Sequence, residues 1–427
     1  VIKKLLNRSE FAKNVITLVT GTSIAQALSL LAAPLLARLY TPEDFSVYAL
    51  FASTSSILSV VATARYELAV PLPKEDNDAK SILRLSLLIC IVVASVTLMS
   101  VLGYHFLSGE FKSEHYSLWF FLLPLSVFAN GIYNAFNYWS TRIKTFYLNS
   151  AGRVMLSAGI AGVSIVLGYV TIGSSGLIIG LVAGQLAAML VMAWPMLKDV
   201  SGFFRQTTKE SVVRNGKTYS LFYRVNTPHA LMDAIQDNGV VYLLTFYFVE
   251  AVTGWYSFAF RILKAPVGLI GAAFYQVFYQ RLSQLNNEGQ DMRPYILNMY
   301  RRLALIGLPG FTVLFIFTPQ IFEWVFGPEW IGAGEIARIL TPWLALNFIV
   351  SPVSCITLVC NRQRAAFGFT ISDTIVRFSA LVVGGVLHDY KLAFIIISVF
   401  SGLLMIFALW WYYSIAGTAF KKRNGTQ

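Results

Sequence analysis

Two adjacent stretches decide the fold: TPHALMDAIQDNGVVYLLTFYF at residues 227–248 and VTGWYSFAFRILKAPVGLIGAAFYQ at residues 252–276. Each is an apolar run of about the ~20 residues that a helix needs to cross a ~30 Å hydrocarbon core. Yet each carries charge far from its ends, Asp233 and Asp237 in the first, Arg261 and Lys264 in the second. Spacings of four and three put each pair on one helix face. At ~1.5 Å per residue, Asp237 lies ~15 Å along one helix and Lys264 ~18 Å along the next, which returns in the opposite sense. The charges are therefore expected to meet near the bilayer midplane. A charge there costs ~2.5–3.5 kcal/mol on the most lenient scale, and four facing lipid on the order of 10 kcal/mol. They must face protein or water, either as a self-neutralising pair that glues helices together or as a polar cavity for charged cargo. The face running through Ser257, Arg261, Lys264, Gly268 and Gly271 is small or polar at every step, as a cavity lining would be.

The rest of the chain agrees with a membrane setting. Of 427 residues 56% are hydrophobic and 13% charged, and the mean hydropathy is +0.63, which excludes an ordinary soluble domain. Twelve apolar spans are read, from 15–37 and 45–70 through 391–416. The formal net charge of +12 points to no nucleic acid, because most of the bases fall in alternate connections: Lys74, Lys80 and Arg84; Arg142, Lys144 and Arg153; Arg205, Lys209, Arg214 and Lys217; Arg362 and Arg364. That asymmetry places both termini in the cytoplasm. Cys90, Cys355 and Cys360 sit in apolar runs without pairing or metal spacing, so neither a disulfide nor a metal or other cofactor is expected.

No soluble domain interrupts the spans. The sequence reads as a segment 1–14, a six-helix bundle 15–197, a basic connection 198–218, a second six-helix bundle 219–418 and a tail 419–427. A faint repeat supports the division, for Arg142-Ile-Lys144 matches Arg362-Gln-Arg364 at an offset of 220. Six spans separate the halves, so both have the same orientation. The expected fold class is thus an all-α integral membrane protein whose twelve transmembrane helices form two bundles related by a pseudo-two-fold axis along the membrane normal, with cargo between them.

Several further residues bear on chemistry. Arg65 and Glu67 end span 2 near its cytoplasmic mouth; two apart on a helix, they are expected to point to different sides and not to pair. Span 4 places Ser126, Asn130, Asn134, Asn137 and Thr141 on one face. Three carboxamides are costly in lipid but suit the hydroxyls of a sugar or bonds to neighbouring helices. Thr22, Gln26 and Ser29 form a polar stripe on span 1, more typical of helix packing. Asp373 and Arg377, acid first and four apart, suit an intrahelical ion pair. The acidic run at 75–78 contains an Asp-x-Asp spacing, but no nucleotide-binding domain accompanies it.

Four stretches now resemble one family: Ala37-Arg-Leu-Tyr-Thr-Pro-Glu-Asp-Phe-Ser-Val-Tyr48, Arg65-Tyr-Glu-Leu-Ala-Val-Pro-Leu-Pro73, Gly254-Trp-Tyr-Ser-Phe-Ala-Phe-Arg261 and Phe326-Gly-Pro-Glu-Trp330. They are similar to the Wzx-type polysaccharide-biosynthesis flippases of the multidrug/oligosaccharidyl-lipid/polysaccharide exporter superfamily. The resemblance implies ion-coupled movement of an undecaprenyl-pyrophosphate-linked oligosaccharide across a bacterial plasma membrane by alternating access, alongside other polysaccharide assembly proteins. Under that reading Arg261 and Lys264 receive the pyrophosphate and Arg65 meets it at the mouth. Asn130, Asn134 and Asn137 take sugars, and Asp233, Asp237 and Asp373 are candidates to carry the coupling ion, a proton. A drug or cation antiporter would need a cavity dominated by carboxylates. A membrane polymerase or glycosyltransferase would need catalytic groups on a substantial outer loop, and the connection 319–337 is short.

Overall fold

The fold is that of a computed structural model, which describes residues 2–108, 119–170, 173–197, 200–205 and 207–424. Among these, every regular element is helical. The first compact unit spans Val1–Val241. It contains α1 (Ile2–Leu39), α2 (Pro42–Val61), α3 (Asp76–Ser108), α4 (Leu123–Arg142), α5 (Phe146–Tyr169), α6 (Ser174–Leu197), the short α7 (Val200–Phe204) and α8 (Lys209–Thr218), and most of α9 (Thr227–Tyr247). The second spans Tyr242–Gln427 and holds α10 (Glu250–Asn287), α11 (Arg293–Phe326), α12 (Ile331–Val350), the single turn α13 (Ile356–Val359), α14 (Gln363–Val386) and α15 (Tyr390–Asn424).

Ten segments among the described residues are long and apolar enough to cross a membrane. The expected span on α9, which carries Asp233 and Asp237, is not among them. The protein is an all-α, multi-pass membrane protein.

Local chemistry explains the boundaries that place the site. α2 starts at a capping box in which Thr41 and Asp44 exchange bonds, with Pro42 in the first turn. This satisfies amides the helix cannot bond itself. Tyr40 donates to the carbonyl of Ser164 at 2.6 Å and ties that corner to α5. The far end corrects the sequence reading. Span 2 does not continue as a helix to residue 70: α2 stops at Val61, Ala64 and Arg65 take positive φ (48° and 61°), and a 3-10 turn covers Tyr66–Ala69. α5 and α6 come close through glycine, since a Cβ added at Gly159 would lie 2.8 Å from the Cα of Gly184, the small-residue contact expected where lipid gives helices no hydrophobic drive.

The basic connection between the expected bundles is also more ordered than a link. α8 docks on α3: Arg214 and Asn215 both bond Asp78, at 2.7 and 2.9 Å, and the Ser81 and Ser211 hydroxyls lie 2.9 Å apart. Arg142 closes the loop before α3 by bonding Asp76 and the carbonyl of Pro73. The acidic run at 75–78 is thus engaged by arginines.

In the second unit the expected outer connection 319–337 proves to be a corner. α11 runs on to Phe326 and α12 begins at Ile331. Trp330 is fully buried there, with Phe258 of α10 at 4.2 Å between ring centroids, and Trp255 donates to the carbonyl of Glu329 at 2.9 Å. Two of the four family-like stretches therefore pack on one another. The corner turns on Gly327, at φ 111° and ψ 165°, a region essentially restricted to glycine. Gly327→Ala is expected to cost of order 1–3 kcal/mol, read as a lower Tm in detergent; an unchanged Tm would mean the corner relaxes freely.

Lys144 and Asn361 both have positive φ (59° and 54°), and the next residue, Thr145 or Arg362, bonds back five residues to Ser140 or Thr357. Gly289 and His388 end their helices in the same way, with Gln290 and Asp389 bonding back to Leu285 and Gly384. The turn is a general helix stop and does not bear on the repeat.

Candidate functional site

Within the first unit, three of the sequence-derived residues line one pocket of about 300 Å³: Arg65, Asn130 and Asn134. α4 brings the two asparagines to it one turn apart. α2 turns Ser55, Ser56 and Ser59 toward the same space, and α6 contributes Gln185. A buried chain of bonds fixes the wall, with the Ser55 and Ser126 hydroxyls 2.5 Å apart and Ser126 donating to Gln185 Oε1 at 2.6 Å. Ser59 Oγ and Arg65 Nε are buried without a protein partner. Buried polar atoms are normally bonded, so these two are groups a polar ligand would satisfy.

Arg65 is held there by the break in α2. Its guanidinium lies 3.7 Å from Glu67, whose side chain is 3% exposed. This corrects the expectation that the two point apart, which assumed an unbroken helix; the left-handed residues 64 and 65 rotate them onto one side. Thr63 also donates to the Glu67 carboxylate. Glu67 lies between the apolar spans Pro42–Val61 and Asp76–Leu107. Burial raises its pKa above the ordinary 4.5 against the pull of Thr63 and Arg65. The fold thus accepts protonated Glu67 more readily than the anion. Its share of stability is complete below the unfolded pKa and is lost as pH rises through the raised value. Glu67→Gln, which stays neutral, is expected to lose less Tm than the parent between about pH 5 and pH 8; parallel losses would show that Glu67 is not the titrating group.

The other expected site residues lie elsewhere. Asn137 does not line the pocket: its carbonyl accepts from Asn149 and Thr141 and its own Oδ1 is buried without a partner. Thr22 bonds Arg153 of α5, a packing role. Asp233 and Asp237 are exposed on α9, and Asp233 lies 3.2 Å from His229. Arg261 is half-buried and Lys264 exposed on α10, with the Lys264 ammonium 5.1 Å from the Phe260 ring centre. Cβ atoms added at Gly268 and Gly271 would meet nothing within 4 Å, so that part of the small-residue stripe borders open space. Asp373 is buried and paired with Arg377, which lies 4.6 Å over the Trp343 ring.

Ser55, Ser56, Ser59 and Gln185 were not singled out in the sequence. A signal existed: Ser55 and Ser59 are four apart, and Gln185 stands alone among apolar residues of its span, where a carboxamide needs a reason.

The polysaccharide biosynthesis protein family model matches residues 35–335. The chain belongs to that family. Among curated proteins no relative matches by sequence. Two solved structures share the fold over nearly the whole chain. An inward-facing multidrug resistance MATE family transporter of the MOP superfamily superposes with a TM-score of 0.69 at 16% identity, covering 94% of this chain and 98% of that one. The lipid II flippase MurJ in an inward closed conformation gives 0.69 at 13% identity, covering 95% and 90%. At these identities the likeness is one of fold. Family and fold agree with the resemblance carried by the four sequence stretches.

Proposed function

We propose that this family member is a flippase that carries an undecaprenyl-pyrophosphate-linked oligosaccharide from the inner to the outer leaflet of a bacterial plasma membrane. The pocket on α2, α4 and α6 supports this reading most directly. Its wall offers hydroxyls, carboxamides and one guanidinium, which is what a sugar next to a phosphate requires: many neutral donors and acceptors and a forked cation for the anion. Among the described residues that line it none is a carboxylate, which disfavours a drug or cation antiporter, since that cargo would call for acids.

The remaining residues take roles in keeping with this cargo. Arg261 and Lys264 in the second unit receive the pyrophosphate after Arg65, and a carboxylate, foremost Asp237, carries the coupling proton. Both termini are cytoplasmic, and transport proceeds by alternating access of the two units.

Removing the protein from a producing cell is expected to trap sugar-bearing prenyl lipid on the cytoplasmic leaflet, read by accessibility to a sugar-cleaving enzyme in inverted vesicles. The parent chain should restore export, whereas a variant with both Arg261→Gln and Lys264→Gln should not. An unchanged leaflet distribution on removal would sink the flippase reading.

A further inference from the structure

A second cavity in the first unit has the opposite character. It is a cleft of about 660 Å³ between α2 and α3, closed at the back by the start of α4. Leu58 and Val61 of α2, Val93, Val96 and Val101 of α3, and Leu123 line it. Besides Ser100 and Tyr104, two threonines bring hydroxyls to it. Thr54 donates to the carbonyl of Leu50 and Thr97 to that of Val93, each at 2.8 Å, so their hydroxyls are satisfied within their own helices and methyl groups are left to the cleft. Along α3 the lining runs from Val92 to Tyr104, ~18 Å at 1.5 Å per residue, more than half of a ~30 Å hydrocarbon core.

The cleft and the polar pocket share α2 as a wall. Thr54, Leu58 and Val61 face the cleft while Ser55, Ser56 and Ser59 face the pocket. At ~100° per residue the two stripes are centred about 140° apart, on different sides of the helix. They converge where α2 ends, because Val61 closes the cleft and Arg65, four residues on, belongs to the pocket. A ligand in both would pass around that helix end with its anionic group at the guanidinium. We propose that the α2–α3 cleft seats the prenyl chain of the lipid-linked cargo while its pyrophosphate and first sugar occupy the Arg65 pocket.

This rests on the flippase reading for the identity of the lipid, and the polar pocket at the end of α2 supports a sugar-bearing prenyl lipid over a phospholipid. Its volume equals about twenty water-sized groups at ~30 Å³ each, or roughly four five-carbon isoprene units. The pocket beyond Arg65 continues with carboxamides and hydroxyls suited to a sugar, not to a glycerol ester. Burial of the chain against valines and leucines gives little net hydrophobic gain over the bilayer. Its contribution is registration, holding the anionic head at the end of α2.

The test uses the full chain reconstituted in vesicles, with benzoylphenylalanine replacing Val96 in the cleft or, as an exposed control outside the cleft, Leu31 of α1, which is 78% exposed. With radiolabelled undecaprenyl pyrophosphate as probe, position 96 is expected to label at least about tenfold more than position 31. Excess unlabelled prenyl pyrophosphate should compete and phosphatidylglycerol should not. Equal labelling at the two positions, or equal competition by phosphatidylglycerol, would overturn the proposal. A second variant, Val96→Trp, fills the cleft without touching the polar pocket and should lower flipping of sugar-bearing prenyl lipid about tenfold at unchanged protein level. Preferential labelling at 96 without any flipping by the parent would sink the flippase reading and leave the prenyl seat standing. Flipping by the parent with Val96→Trp at the parental rate would do the reverse.

Discussion

Arg65→Gln is expected to cut export of lipid-linked oligosaccharide by roughly tenfold to a hundredfold. The loss corresponds to a charge-assisted hydrogen bond of about 1.5–3 kcal/mol, at ~1.4 kcal/mol per decade. Arg65 is the single cation among the described residues that line the polar pocket, and Gln keeps much of the length while removing the fork. One complication has its own control. Arg65 also faces Glu67, nearly fully buried at 3.7 Å, and taking away one partner of a buried pair leaves an uncompensated charge that can cost 3–5 kcal/mol. The single variant would then fail through folding. The double variant Arg65→Gln with Glu67→Gln removes both charges and leaves neither stranded. If the double variant restores protein level but not export, the guanidinium serves the cargo. If it restores export as well, Arg65 serves only to neutralise Glu67.

The same pair marks where sequence reasoning stopped. Hydropathy and the alternation of basic connections recovered the membrane class and most helices, because a bilayer imposes length and backbone bonding on every span. Asn130 and Asn134 were legible for a related reason, since carboxamides have few tolerable places in a lipid-facing helix. The turn of backbone at Ala64 and Arg65 was not legible. Neither residue is one that usually takes positive φ, so the stretch read as the tail of span 2 and its charges as divergent. Asn137 shows the converse error, for a shared helix face is not a shared cavity: one turn beyond Asn134 the same face meets α5, where Asn149 bonds the Asn137 carbonyl. The corner at Gly327 was obscured because an apolar helix end and a loop of mixed residues look alike in hydropathy.

Asp237→Asn is expected to preserve binding of the lipid-linked substrate and to abolish transport driven by a pH gradient. Exposure sorts the three candidate acids. A carboxylate that exchanges a proton once per cycle has to reach water, and Asp373 is 4% exposed and held by Arg377 against Trp343. Cycling it would break a buried pair each time. Asp233 is exposed but lies 3.2 Å from His229, whose imidazole already engages its carboxylate. Asp237 is exposed one turn further along α9. An arriving pyrophosphate changes the balance of charge around such a group, and a carboxylate beside an added anion favours its protonated form. Taking up a proton offsets the charge of the cargo, and releasing it resets the carrier. Asn fixes the neutral form, so the empty-to-loaded step stays possible but the proton has nowhere to bind, whereas Asp237→Glu keeps the acid and should keep part of the transport. In reconstituted vesicles, proton flux on adding substrate should vanish with Asn and persist in part with Glu. Equal flux in parent and Asp237→Asn would remove Asp237 from the role and move it to Asp233, whose exposure leaves it the next group able to exchange with water.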